Sequence, residues 1–157
     1  MRTRVSVQEA PFDLGAEYLA VADAAEVGGI GCFIGQVRGG EDLVALRLEH
    51  YPAMTQHALT AIIGTAEARF DLVACTVIHR FGRLEVGEPI VLVLAASAHR
   101  QAALDATRFL IDWLKTDAPF WKCAEFADGR QCWVAAHAAD DATRAAWDAG
   151  PSSRSSG

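Results

Sequence analysis

The chain has 157 residues, 52% hydrophobic and 22% charged, the balance of one globular domain that can bury a core without disulfide or metal staples. A formal net charge of -6 excludes a broad nucleic-acid-binding face, and the longest apolar run, "PIVLVLAA", is too short to cross a bilayer. "MRTRVSVQEAPFD" holds no apolar leader or cleavage signal, so a soluble, cytoplasmic protein is expected.

In chain order, "RVSVQ" predicts a short strand, and Asp13 is placed to cap a helix through "LGAEYLAVADAAE" that Gly28 and Gly29 end. "GIGCFIGQV" reads as a strand whose Gly31 and Gly35 share one face and admit a close neighbour. After the turn "RGGED", the segment "LVALRLEHY" alternates Val44, Leu46 and Leu48 with Ala45, Arg47 and Glu49, a half-buried strand. Pro52 suits the first turn of a helix to Phe70, with Leu59, Ile62, Ile63, Ala66 and Phe70 on one stripe.

"VACTVIHRF" and "PIVLVLAAS" follow as strands, the second apolar throughout and so expected at the sheet centre, with "RLEVGE" as the turn between them. Ser97 is the expected cap of a long helix from about His99, which Pro119 stops. "FWKCAEF" and "QCWV" form a hairpin around "ADGR". One domain over residues 1–149 is expected, closing with a helical turn or two, and the Ser-rich residues 150–157 read as a disordered tail.

Cys32, Cys75, Cys123 and Cys132 form no C-x-x-C pair, and the five histidines are as scattered. Free thiols are expected, and neither a metal nor a cofactor. The chemistry-bearing residues are better sought among the cations. The chain has two lysines among fourteen Lys and Arg residues, and both fall in "LKTDAPFWK". Arginine stays protonated, whereas the amines of Lys115 and Lys122 can pass a proton or act as nucleophiles. His99 and Arg100 stand at a helix N-terminus, where backbone N–H groups and the helix dipole favour an anion. Arg38 follows a strand and precedes a glycine pair that lets the backbone approach a ligand or simply turns. His79 and Arg80 close another strand, and a hydrogen-bonded structural role suits that histidine. Cys123 sits beside Lys122 but on the opposite strand face, which argues against a nucleophilic thiol there.

Together "PFDLGAEY", "GCFIGQVRG", "LEHYPAMT", "VIHRFGRLEVGE", "SAHRQAA" and "FLIDWLKTDAPFWK" resemble the large, catalytic subunit family of molybdopterin synthase, in order from Pro11 to about Val134. The resemblance implies an α+β fold, an α/β hammerhead with an additional antiparallel β subdomain. It implies transfer of two sulfurs to cyclic pyranopterin monophosphate (precursor Z), making molybdopterin. The donor would be the C-terminal Gly-Gly thiocarboxylate of a small ubiquitin-like subunit, and the large subunits would form a homodimer within a heterotetramer.

By the same resemblance Lys115 and Lys122 are catalytic. His99, Arg100 and Arg38 bind substrate, with Arg38 expected from the neighbouring protomer. A lysine set among these cations and against Phe120 or Trp121 would have its pKa lowered by repulsion and desolvation. Three departures stand out. The loop after Arg38 is shorter than in some relatives, His137 stands where an arginine is common, and Cys123 stands where a basic residue is common. Two other readings fit the same residues: a lysine-dependent Schiff-base or phosphate-ester enzyme, and a non-catalytic receptor for a ubiquitin-like tail.

Overall fold

The computed structural model describes residues 1–134 and Trp147. His137, the expected closing helical turns apart from Trp147, and the 150–157 tail lie outside the described residues. The first sheet orders β1 (Arg2–Gln8), β4 (Leu72–Arg80), β6 (Pro89–Ser97) and β2 (Gly29–Gln36), and the second orders β5 (Gly82–Glu85), β3 (Leu43–His50), β7 (Phe120–Phe126) and β8 (Gln131–Trp133). Among the described residues only β1 and β4 pair in parallel, and every pairing of the second sheet is antiparallel. Helices α1 (Leu14–Ala22), α2 (Pro52–Phe70) and α3 (Arg100–Thr116) complete the α+β fold over the described residues. None of them is long and apolar enough to cross a membrane.

The two central strands of the first sheet serve opposite faces with alternate residues. Cys75 and Val77 of β4 and Val93 and Ala95 of β6 pack under α2 and α3, against Leu59, Ile63, Phe109 and Leu110. Ala74, Ile78, Leu92 and Leu94 instead meet Val21 of α1. This two-sided cover is why "PIVLVLAAS" has no polar alternation. A third cluster of Val37, Leu48 and Leu84 joins the two sheets. Arg80, buried at the end of β4, donates from Nε and Nη2 to the Glu9 carbonyl and from Nη1 to the Pro89 carbonyl, tying three strand ends together.

Several local expectations hold. The Asp13 carboxylate accepts from the Ala16 N–H at 3.0 Å, and Pro52 opens α2. Gly31 lies against α3: a Cβ there would collide with the Thr107 hydroxyl and sit 2.5 Å from the Ala103 carbonyl oxygen. Gly31→Ala should therefore destabilise the fold by about 1–3 kcal/mol, the range for overpacking, read as a lowered urea midpoint at constant m-value.

Others are corrected. α1 ends at Ala22 rather than near Glu26, because Asp23 leaves helical geometry (φ -77°, ψ 50°) and the Ala24 N–H turns back to the Ala22 carbonyl, letting Val27 pack in the core. The alternation in β3 breaks at a bulge, so Val44 is exposed and Ala45 buried. "RLEVGE" is only partly a turn. Residues Gly82–Glu85 form β5, with Leu84 inward and Arg83 bonded to Glu125 and Glu85 outside.

Candidate functional site

The proposed site residues fall at two ends of α3. At its N-terminus, β6 delivers the chain into the helix through Ser97, whose hydroxyl donates to the Asp71 carbonyl and accepts from the His99 N–H at 3.4 Å. Ser97 is therefore not the cap that the sequence suggested. His99 occupies the N-cap position with extended backbone and makes no side-chain capping bond, so no side chain of its own caps the amide end of α3.

Gly28 and Gly29 come directly under this turn. The Gly28 N–H donates to the Ser97 carbonyl, a Cβ on Gly28 would collide with the Ala98 carbonyl oxygen, and one on Gly29 would lie 3.3 Å from the Arg100 Cα. The result is an open depression of about 490 Å³ lined by Gly28, Ala98, His99, Arg100 and Gln101. His99 and Arg100 are exposed on it, where the helix dipole and the bare backbone N–H groups favour negative charge.

At the other end Lys115 lies in the last turn of α3, and Lys122 is the third residue of β7 after the short 117–119 link. Both are exposed. Lys122 pairs across the ladder with Leu48, which packs with Val37, so the neighbouring Arg38 belongs to this end as well. The strand geometry agrees, since β2 has Gly29 beside Arg100 and Gly31 beside Ala103 and Thr107, and so runs along α3 from its N-terminus toward its C-terminus.

From His99 to Lys115 the helix rises about 24 Å at 1.5 Å per residue. One chain thus brings Arg38 to the lysine end and holds His99 and Arg100 apart from it. Of the expected set, the His-Arg pair is the one that a single protomer leaves remote from the lysines, rather than Arg38. Cys123 is buried while Lys122 is exposed, as the strand alternation suggested.

The sequence reading undervalued the rings around the start of β7. His79 stacks on Phe120 with centroids 3.7 Å apart and planes at 15°, and His50, the cross-strand partner of Phe120, lies 5.5 Å from the same ring. Burial pushes the His79 pKa from 6.5 down to about 4. The hydrogen bond to the Arg80 carbonyl opposes this, and the Lys122 charge and His50 reinforce it. Burial also lowers the His50 pKa. The pairing of β7 with β3 brings Phe120 to His50, and the packing of the two sheets brings it to His79, so no local signal marked the cluster.

The folded pKa of His79 lies below the unfolded value, so between about pH 6.5 and 4 the unfolded chain binds the additional proton. This contribution is fully present above pH 6.5 and is lost as pH falls toward 4, on the order of 3 kcal/mol in all. Urea unfolding at pH 7 and pH 4.5 should show a smaller drop for His79→Phe than for the wild type; equal drops would contradict the assignment to His79.

The model of the family described as MoaE protein matches residues 7–117, from β1 to the C-terminal cap of α3. The chain is 49% identical over 146 residues to the molybdopterin synthase catalytic subunit of Rhizobium meliloti, covering 91% of this chain and 94% of that one. Among solved structures, the molybdopterin biosynthesis MoaE protein of Burkholderia ambifaria superposes with a TM-score of 0.80 at 40% identity, covering 94% of this chain and 99% of that one. A structure described as a protein–protein complex of subunits 1 and 2 of molybdopterin-converting factor from Helicobacter pylori shares the fold, at a TM-score of 0.70 and 21% identity, over 84% of this chain and 89% of that one. Family match, identity and fold all converge, and the chain belongs to the MoaE family, the catalytic subunits of molybdopterin synthase.

Proposed function

We propose that this chain transfers two sulfurs to cyclic pyranopterin monophosphate to form molybdopterin, taking each from the C-terminal Gly-Gly thiocarboxylate of a small ubiquitin-like subunit in the cytoplasm. The chain works as a homodimer within a heterotetramer that carries one small subunit at each end. What supports this reading is that Arg38, Lys115 and Lys122 fall toward one end of α3 and that His99 and Arg100 stand at its other, amide end. A cyclic phosphate and a thiocarboxylate bring at least two negative charges together, and two protomers packed so that one's His99 and Arg100 meet the other's lysines would supply the matching cations. The complex described for the Helicobacter pylori protein is in keeping with a small-subunit partner.

In each transfer the thiocarboxylate sulfur bonds to a pterin side-chain carbon as a carbon–oxygen bond of the substrate breaks. Water then cleaves the acyl–sulfur bond, the small subunit leaves as a carboxylate, and the sulfur stays on the product. Lys115 passes a proton to the departing oxygen, and Lys122 holds the donor and substrate in register with it. Arg38, His99 and Arg100 hold the phosphate.

Reconstitution with a thiocarboxylated small subunit and precursor Z, followed by mass analysis, should show a pterin with two sulfurs. Partner binding without conversion would favour a receptor. A borohydride-trapped adduct on Lys115 formed without any small subunit would favour Schiff-base chemistry.

A further inference from the structure

Phe120, the first residue of β7, belongs to a cluster of four aromatic side chains. The Phe120 ring lies against both His79 and His50, and Phe81, which follows β4 directly, lies 4.6 Å from His50. The hydrogen bonds settle how each imidazole is held. His79 Nδ1 is 2.8 Å from the Arg80 carbonyl, an obligate acceptor, so it carries the proton. The Thr55 hydroxyl already donates to the Tyr51 carbonyl, so its oxygen accepts from His50 Nδ1 at 3.2 Å. Both rings donate from Nδ1, and neither can turn without losing its bond.

Between α3 and β7 run only residues 117–119, of which Pro119 offers no N–H, and Phe120 itself bonds back to the Ala118 carbonyl. Two residues further along the strand, on the face that carries Phe120, stands Lys122, whose charge reaches the His79 ring. Phe120 thus lies between the helix that carries Lys115 and the position of Lys122. Its ring is held by β4, through His79, as well as by its own ladder with β3.

We propose that His79 is a positioning residue for the sulfur-transfer reaction: by stacking on Phe120 it fixes the start of β7 and so aims Lys122 at the reacting centre. The proposal rests on the reading of Lys122 as a site residue given above. It explains why an imidazole stands there. The position requires a flat ring against Phe120 together with an N–H for the Arg80 carbonyl, and it must stay uncharged beside a lysine.

The test uses the full-length protein. With only two lysines in the chain, reductive methylation with ¹³C-formaldehyde yields two dimethyl-lysine signals, assigned through Lys115→Arg and Lys122→Arg. His79→Leu and Phe120→Leu each remove one ring of the stack from a different strand, so one remains informative if the other does not fold. Either should move the Lys122 signal and its titration and leave that of Lys115 in place. His79→Phe, which keeps the ring on Phe120 but lacks the N–H, should bring the Lys122 signal most of the way back to its wild-type position.

In single-turnover sulfur transfer, either leucine variant should slow product formation about 10- to 100-fold, the scale of a misplaced site group, but less than about 2-fold in a Lys122→Ala background, because contacts that act through one residue are not additive. An unmoved Lys122 signal, or the same fold-loss in both backgrounds, would overturn the proposal and reduce His79 to a core residue. A Lys122→Ala enzyme at the wild-type rate would be a different failure. It would remove the catalytic part of Lys122, and the proposal's link to the reaction with it, even with the signal displaced.

Discussion

A Lys115→Arg enzyme should form product on the order of 10² to 10⁴ times more slowly than the wild type, while still binding precursor Z and the small subunit. Lys115 stands exposed in the last turn of α3, one residue before the helix ends. Arginine there would keep the positive charge and add a planar fork suited to phosphate or carboxylate, so a residue that served only as an anion ligand would be replaced at little loss. What arginine cannot do is give up its proton at any working pH. For Lys122→Arg the loss should be smaller and fall more on binding. Single-turnover product formation at saturating partner, set beside direct binding measurements, separates the two. Near-wild-type turnover by Lys115→Arg would show that proton transfer is not why lysine occupies the position.

Mixing two inactive variants should restore activity only when their lesions lie at opposite ends of α3. The helix holds His99 about 24 Å from Lys115, so on the proposed function a complete site combines the lysine end of one protomer with the His-Arg end of another. In a mixed dimer of His99→Ala and Lys115→Ala chains, one of the two sites is then wild type in every residue. With random exchange, half of the dimers are mixed and activity should return to about one quarter of the wild-type value. Arg38→Ala mixed with His99→Ala should behave in the same way. Arg38→Ala mixed with Lys115→Ala should stay inactive, because Val37 packs with Leu48, the ladder partner of Lys122, and so places Arg38 with the lysines. Recovery in that last mixture, with the mixed dimers shown to form, would mean that Arg38 crosses to the neighbour, as the resemblance alone suggested. Recovery in none of the mixtures would remove the shared site.

Much of this protein was legible in the sequence because the signals are local. Asp13 caps α1, Pro52 starts α2, and the uninterrupted "PIVLVLAAS" is the central β6, each for a reason contained within a few residues. The rarity of lysine singled out Lys115 and Lys122, and the motif order identified the family. What the sequence could not decide depends on contacts between segments far apart along the chain. β5 is four residues around one inward Leu84, too short to stand out from a turn until β3 pairs with it, and the bulge at Val44 exists only in register with β7. The ends of α3 to which the cations belong follow from β2 lying along that helix, with Gly31 as the point of closest approach. His79 meets Phe120 across two sheets, 41 positions away, and no periodicity in either segment encodes that meeting. Capping and patterning act within a turn or two of chain, whereas sheet register and ring stacking are settled only when the core closes and each buried donor must find its acceptor.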